Sequence, residues 1–235
     1  MQNLNPIRIV ARRGRDLELI GATALLGGLV IGALALFAMV ILQLSSIIGV
    51  IILLIGVVAI IVGVGFIIRG LTYRHDNLPA KVVGDMLAQE LDQRYVFIRN
   101  IGRRGLGYID AVLVGPPGAL VFRITDASGV FTNERADWLQ KDSSGRFNTM
   151  RQSFTRECIT DIHALRDYLA HRGLSKVPVY GVVVFVNPQV QVSTRQPVVP
   201  VAQLSTLKTV LQRDYLAQDR IPPDVVKKTV DVVYT

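Results

Sequence analysis

The residues best suited to touch phosphate lie between positions 99 and 107: Arg99, then Gly102-Arg103-Arg104-Gly105-Leu106-Gly107. Guanidinium groups on a glycine-rich turn could contact lipid head groups or a nucleic-acid backbone. The spacing has the look of a phosphate cradle. It joins two strands instead of opening a helix, however, so the dinucleotide-binding and P-loop contexts are absent and a basic, solvated turn is the plainer reading. Other sources of chemistry are thin. His75, His163 and His171 have no spacing to one another or to Cys158 that makes a zinc site. No elbow motif organises Ser, His and Asp into a triad. Cys158 is the only cysteine, which excludes an intrachain disulfide and agrees with a reducing compartment. It shares an apolar helical face with Ile162, Leu165 and Leu169, as a buried structural thiol would.

These residues follow a long apolar run. Leu19 to Ile68 is fifty residues without a charge. One helix of that length would reach about 75 Å, more than twice a hydrocarbon core of roughly 30 Å, so the run must fold back. Its most polar stretch, Gln43 to Ser46, sits near the middle. Two transmembrane helices, 19–42 and 47–69, are predicted within a hairpin over 19–70. Arg8, Arg12, Arg13 and Arg15 precede the first span, Arg69 and Arg74 follow the second, and the turn has no Lys or Arg. Basic flanks stay on the cytoplasmic side, so the sequence predicts an integral protein of the cytoplasmic membrane with both termini, including a basic segment 1–18, in the cytoplasm. A cleaved signal peptide is the rival reading, but the apolar region is far too long and a second span follows at once.

Gly21, Gly28 and Ala35 recur every seven residues in the first span; Gly49, Gly56, Gly63 and Gly70 do so in the second. Each set forms one stripe along which two backbones can approach in lipid. An intrachain seam is the expected use, and Gly28 with Gly32 could instead support homo-oligomers. Neither span contains an ionisable residue, which argues against a transporter or channel and for an anchor.

Residues 75–235 are ample for one cytoplasmic domain. From Arg69 onward 22 Lys and Arg face 16 Asp and Glu, an excess of +6 that suits an anionic leaflet or polyanion. Periodicity predicts a helix at 79–92, strands at 95–101, 108–114 and 119–125, short strands near 130–132 and 138–140, and a long helix at 150–171. A buried strand at 177–186, a short one at 198–201, and helices at 203–216 and 222–233 complete the pattern. This order indicates an α/β sandwich with a mixed sheet.

Within it stands Gly107-Tyr-Ile-Asp110-Ala-Val-Leu-Val-Gly115-Pro-Pro-Gly118-Ala-Leu-Val-Phe-Arg123-Ile-Thr125-Asp126-Ala-Ser-Gly129, followed by Trp138 and Asn148-Thr-Met-Arg-Gln152. The run resembles the nuclease-related domain, NERD, a branch of the PD-(D/E)-x-K nuclease fold. The resemblance spans about 80–232 and implies a restriction-endonuclease-like mixed sheet flanked by helices. It also implies two carboxylates on adjacent strands holding Mg²⁺ or Mn²⁺, which activates water against a phosphodiester, with a Lys assisting. Asp110 matches the first carboxylate and Gln152 the motif Gln. Arg123 stands where the family has Glu, Thr125 where it has Lys, and Thr149 where it has Pro.

A cation at a ligand position repels a divalent metal. The sequence therefore predicts a catalytically dead site without a metal cofactor. Asp110 and Arg123 should lie on the same side of neighbouring strands, with Gln152 in the first turn of the long helix completing a polar cluster. The protein would then act by binding nucleic acid or a protein partner. A relocated, metal-dependent site is the alternative, with Glu90, Asp126 or Glu157 as replacement carboxylate and Lys141 as replacement Lys. An oligomerising membrane scaffold is the third reading.

Overall fold

The computed structural model describes residues 1–5, 7–41, 46–72, 77–103 and 105–234 of the chain. Arg104, Arg74, His75 and the expected turn residues 43–45 lie outside the described residues, as do the side chains of 7–16 and 69–72. The elements in chain order are β1 (Gln2–Leu4), α1 (Ile7–Val40), α2 (Ser46–Thr72), α3 (Leu78–Glu90), β2 (Val96–Arg103), β3 (Gly107–Gly115), β4 (Gly118–Thr125), β5 (Val130–Glu134), β6 (Asp137–Lys141), β7 (Phe147–Thr149), α4 (Phe154–Ala170), β8 (Val179–Phe185), β9 (Gln191–Arg195), β10 (Val201–Gln203), α5 (Leu207–Asp214) and α6 (Pro223–Tyr234). They group into two units: α1 with α2, and residues 1–5 together with those from 77 onward.

The first unit is a helical hairpin. Leu17–Val40 and Ile47–Ile68 are each long and apolar enough to cross a membrane. Most of their side chains, Leu26, Leu34, Val58 and Ile61 among them, are exposed, unlike those of a soluble protein's core helix. The two glycine stripes face each other. A Cβ on Gly28 would meet the Gly56 carbonyl oxygen at 2.6 Å, and one on Gly63 would meet that of Gly21 at 2.7 Å. The Gly28–Gly32 pair is part of this seam, since a Cβ on Gly56 would lie 3.1 Å from the Gly32 nitrogen. The helix α1 starts at Ile7, twelve residues before the apolar boundary at Leu19. A change of solvent does not end a helix, and Arg, Leu and Glu all sustain one.

In the second unit a six-stranded mixed sheet runs β1-β2-β3-β4-β8-β10, and a four-stranded sheet runs β7-β6-β5-β9. The strands β2, β3 and β4 form an antiparallel meander. The strand β8 returns parallel to β4 after α4, and β1 and β10 pair parallel at the two edges. The strands β3 and β4 are apolar almost throughout because both faces are covered. On one face α3 and α5 bury Val83, Leu87, Leu207 and Leu211 against Phe97, Leu113 and Phe122. On the other, α4 and α6 bury Leu165, Leu169, Val226 and Val233 against Ile98, Val112 and Val121. The small sheet packs Phe131 and Trp138 on Phe154 and Phe185, and the Trp138 indole N–H donates to Thr155 Oγ1 at 2.9 Å.

The turn between β3 and β4 shows why its last residue is glycine. Gly118 has φ 132°, and a Cβ there would lie 2.5 Å from the Pro178 carbonyl oxygen. Three strands depart from the expected pattern: β1, β7 and β9. Each is five residues or shorter, and β9 is mostly exposed, so none carries a clear alternation.

The hairpin seam yields a test. Gly56→Leu must push two backbones apart, whereas Gly65, with nothing within 4 Å of its Cβ position, leaves room for a side chain. Gly56→Leu is expected to lower the thermal midpoint of the detergent-solubilised chain, by a cost of about 1–3 kcal/mol. Gly65→Leu is expected to leave it unchanged. Equal effects from both would contradict the seam.

Candidate functional site

The site begins where β3 and β4 part. Their ladder ends at the pair Ala111–Phe122, so Asp110 and Arg123 stand one step beyond it on neighbouring strands. With no partner carbonyl filling the gap, the Asp110 carboxylate enters it. Its Oδ2 accepts the Ile124 backbone N–H at 2.9 Å, and its Oδ1 accepts the Asn77 side-chain amide at 3.0 Å. Asp110 is 5% exposed. Burial pushes its carboxyl above the usual range, and Glu157 adds to that, while the Ile124 amide, Arg123 and Asn77 pull the other way.

Arg123 lies between two acids. Its Nη1 is 3.8 Å from Asp110 Oδ2, and its Nη2 pairs with Glu157 Oε2. Glu157 is placed by α4. Ser153 caps that helix, accepting the Arg156 N–H at 3.2 Å and donating to the Ala136 carbonyl at 2.7 Å. This sets Glu157 in the first turn, where the helix dipole favours a negative charge. One turn further along α4, Asp161 joins the group. Burial pushes its carboxyl up to about 6, with Arg123 opposing and Asp110 and Glu157 adding to the push.

The remaining expected residues are placed otherwise. Gln152 is exposed in the bend before α4, two residues ahead of the first helical position, because the helix starts at the Ser153 cap. The third position beside Asp110 and Arg123 belongs to Glu157. Thr125 Oγ1 accepts the Ala127 N–H at 3.2 Å and closes the loop after β4. Arg99 and Arg103 belong to β2, whose strand outruns the expected turn, and Arg103 donates to the Tyr234 carbonyl at the end of α6. Among the replacement candidates, Glu90 pairs with Lys208 and Lys141 is an exposed residue of β6 in the small sheet. Asp126 lies in the loop after β4, where its carbonyl accepts the Asn187 amide.

Cys158 is fully buried on α4, and burial pushes its thiol up to about 12. Asp161 was not expected, although its spacing of four residues from Glu157 was a usable signal. Asn77 was legible as the cap preceding Leu78-Pro79, and it accepts the Ala80 N–H at 3.0 Å.

Residues 78–186 match the family model of the nuclease-related domain, NERD. The chain carries a nuclease-related domain. No curated protein and no solved structure matches it. The NERD match covers α3 through β8, and with them Asp110, Arg123 and Glu157. The donor set there does not fit a divalent metal. A guanidinium occupies the space between the two carboxylates that would have to converge on the ion. Among the described residues no group of three or more His, Cys, Asp and Glu side chains is placed to hold a metal ion.

Asp161 makes the site's electrostatics measurable. Its folded value of about 6 lies above the ordinary 3.8. Between those pH values the folded protein keeps a proton that the unfolded chain has released, so stability falls as pH rises through that window. Asp161→Asn cannot ionise. It is expected to unfold at higher temperature than the parent near neutral pH, by about 1 kcal/mol once the side chain's partial exposure is discounted. The advantage should vanish below about pH 4. Thermal unfolding of the full chain across that range checks the sign and the window.

Proposed function

We propose that the chain is a membrane-anchored, catalytically inactive nuclease-related domain, built on a restriction-endonuclease-like sheet, that works by binding nucleic acid or a protein partner. The observation that carries this reading is the Arg123 guanidinium held between Asp110 and Glu157. A metal there would neutralise charge growing on a phosphodiester and make its bound water a nucleophile. The guanidinium neutralises the same carboxylates without offering a site for water, and Thr125 supplies no ammonium group. Binding can survive these exchanges because the sheet and its helices do not depend on the metal.

The membrane reading is supported by two helices of sufficient length and apolarity with exposed sides. The pairing of Gln2–Leu4 with Val96–Ile98 supports an even number of crossings. Segments before and after the hairpin share one sheet, so they occupy one compartment. The basic residues at 8–15, 69 and 74 support a cytoplasmic location for that compartment.

The second reading, a relocated metal-dependent nuclease, is favoured by Glu157, which brings a second carboxylate to the Arg123 group. The full chain, incubated with single- and double-stranded DNA in Mg²⁺ or Mn²⁺, separates the two. No cleavage above background is expected, and no difference between the parent and Asp110→Ala. Metal-dependent cleavage lost on Asp110→Ala would overturn the inactive reading in favour of the nuclease.

A further inference from the structure

The strand β8 lies between β4 and β10, but β10 joins it late. From Pro178 onward, even-numbered backbone groups turn toward β4, as the bond from the Ala119 N–H to the Pro178 carbonyl shows. Odd-numbered ones turn toward β10, as the bond from the Val183 N–H to the Pro200 carbonyl shows. Pairing with β10 starts at Val201 opposite Val183. Gly181, two residues earlier on the same edge, therefore presents both its N–H and its carbonyl to that side. In register the donor to its carbonyl would be the N–H of residue 200, and proline has none. Among the described residues no backbone or side-chain group of that side bonds to either atom.

The edge borders a cavity. Buried Gly181 lines a pocket of about 200 Å³, walled by Ile162, Val182, Val199, Val210 and Leu211. A Cβ on Gly181 would lie 2.5 Å from Ile162 Cδ1, so glycine lets α4 come this close. The polar side chains on the walls are already engaged. The Tyr215 hydroxyl donates to the Gly118 carbonyl at 2.9 Å, the Tyr180 hydroxyl accepts from Arg220, and Asp214 accepts from Arg213 at 2.6 Å. What the cavity still offers is one donor and one acceptor from a single residue of a strand. An apolar cavity of about 150 Å³ holds benzene, so this one has room for a branched aliphatic side chain.

We propose that this cavity binds an aliphatic residue of a short, extended peptide. The peptide residue pairs with Gly181 as in an antiparallel ladder, where two opposed residues exchange both N–H and carbonyl bonds. Its carbonyl accepts the Gly181 N–H, and its N–H donates to the Gly181 carbonyl. The bonds that Pro200 withholds from the sheet are thereby made by the ligand, which relieves a buried donor and acceptor of their missing partners. The side chain enters the space between β8 and α5. It is uncharged, because the walls hold no unpaired countercharge to replace its hydration. Neither Asp110 nor Arg123 lines this cavity, so the site is distinct from theirs.

The probe is N-acetyl-leucine N-methylamide, titrated into the full chain in lipid nanodiscs and followed by NMR at the Gly181 amide. A saturable downfield shift of that proton is expected. The ester analogue, with oxygen in place of the leucine N–H, leaves the Gly181 carbonyl unmet and is expected to bind about tenfold more weakly or worse. Pro200→Ala restores a chain N–H in register with the same carbonyl and is expected to weaken the probe by a similar factor. Val210→Trp fills the cavity and is expected to abolish the shift. Spectra of the unliganded variants establish that each is folded. No saturable shift at Gly181 in the parent chain, or equal binding of amide and ester, overturns the proposal. So does undiminished binding to both folded variants.

Discussion

A carboxylate placed where two strands separate, with almost no access to water, must be met by donors on every side. Asp110 is that group, and much of the second unit is arranged to meet it. The strand β4 supplies the Ile124 amide, and the start of α3 supplies Asn77. Arg123 supplies charge, and α4 supplies the Glu157 that balances Arg123. Burial still prevails over these partners, since the Asp110 carboxyl stays above its ordinary range. The site is therefore polar and crowded: Arg123 pairs with Asp110 and Glu157, and Asp161 lies within reach of its charge.

That sharing defines what the site can do. A divalent ion and a guanidinium both neutralise carboxylates, but they differ in what they leave open. The ion keeps coordination positions for water and for a phosphate oxygen. The guanidinium is planar, and it spends its donors on the acids it pairs with. Glu157 belongs to a helix whose cap and dipole would place an acid there in any case, which explains how the pair with Arg123 forms without rebuilding the sheet.

The hairpin and the sheet are linked through the chain itself. The helices α1 and α2 are inserted between β1 and the rest of the sheet to which β1 belongs. The hairpin seam is a run of glycines that lets backbones touch. The second unit relies on the opposite physics, with two apolar faces of a sheet covered by helices.

By itself the sequence determined whatever depends on local pattern. The fifty uncharged residues required a hairpin, the seven-residue glycine spacing required a seam, and the apolar runs of β3, β4 and β8 required a covered sheet. The motif around Asp110 was legible to the residue, as was the cation at 123. Only the tertiary structure decided which groups complete the site. Gln152 gave way to Glu157 because the cap at Ser153 starts the helix later than its apolar pattern suggests. Asp161 entered because the packing of α4 on the sheet brought position 161 near positions 110 and 123. The strand β1 was illegible for a related reason. Three residues with no alternation become a strand only when β2, more than ninety positions away, offers a free edge, and no local pattern encodes a partner at that distance.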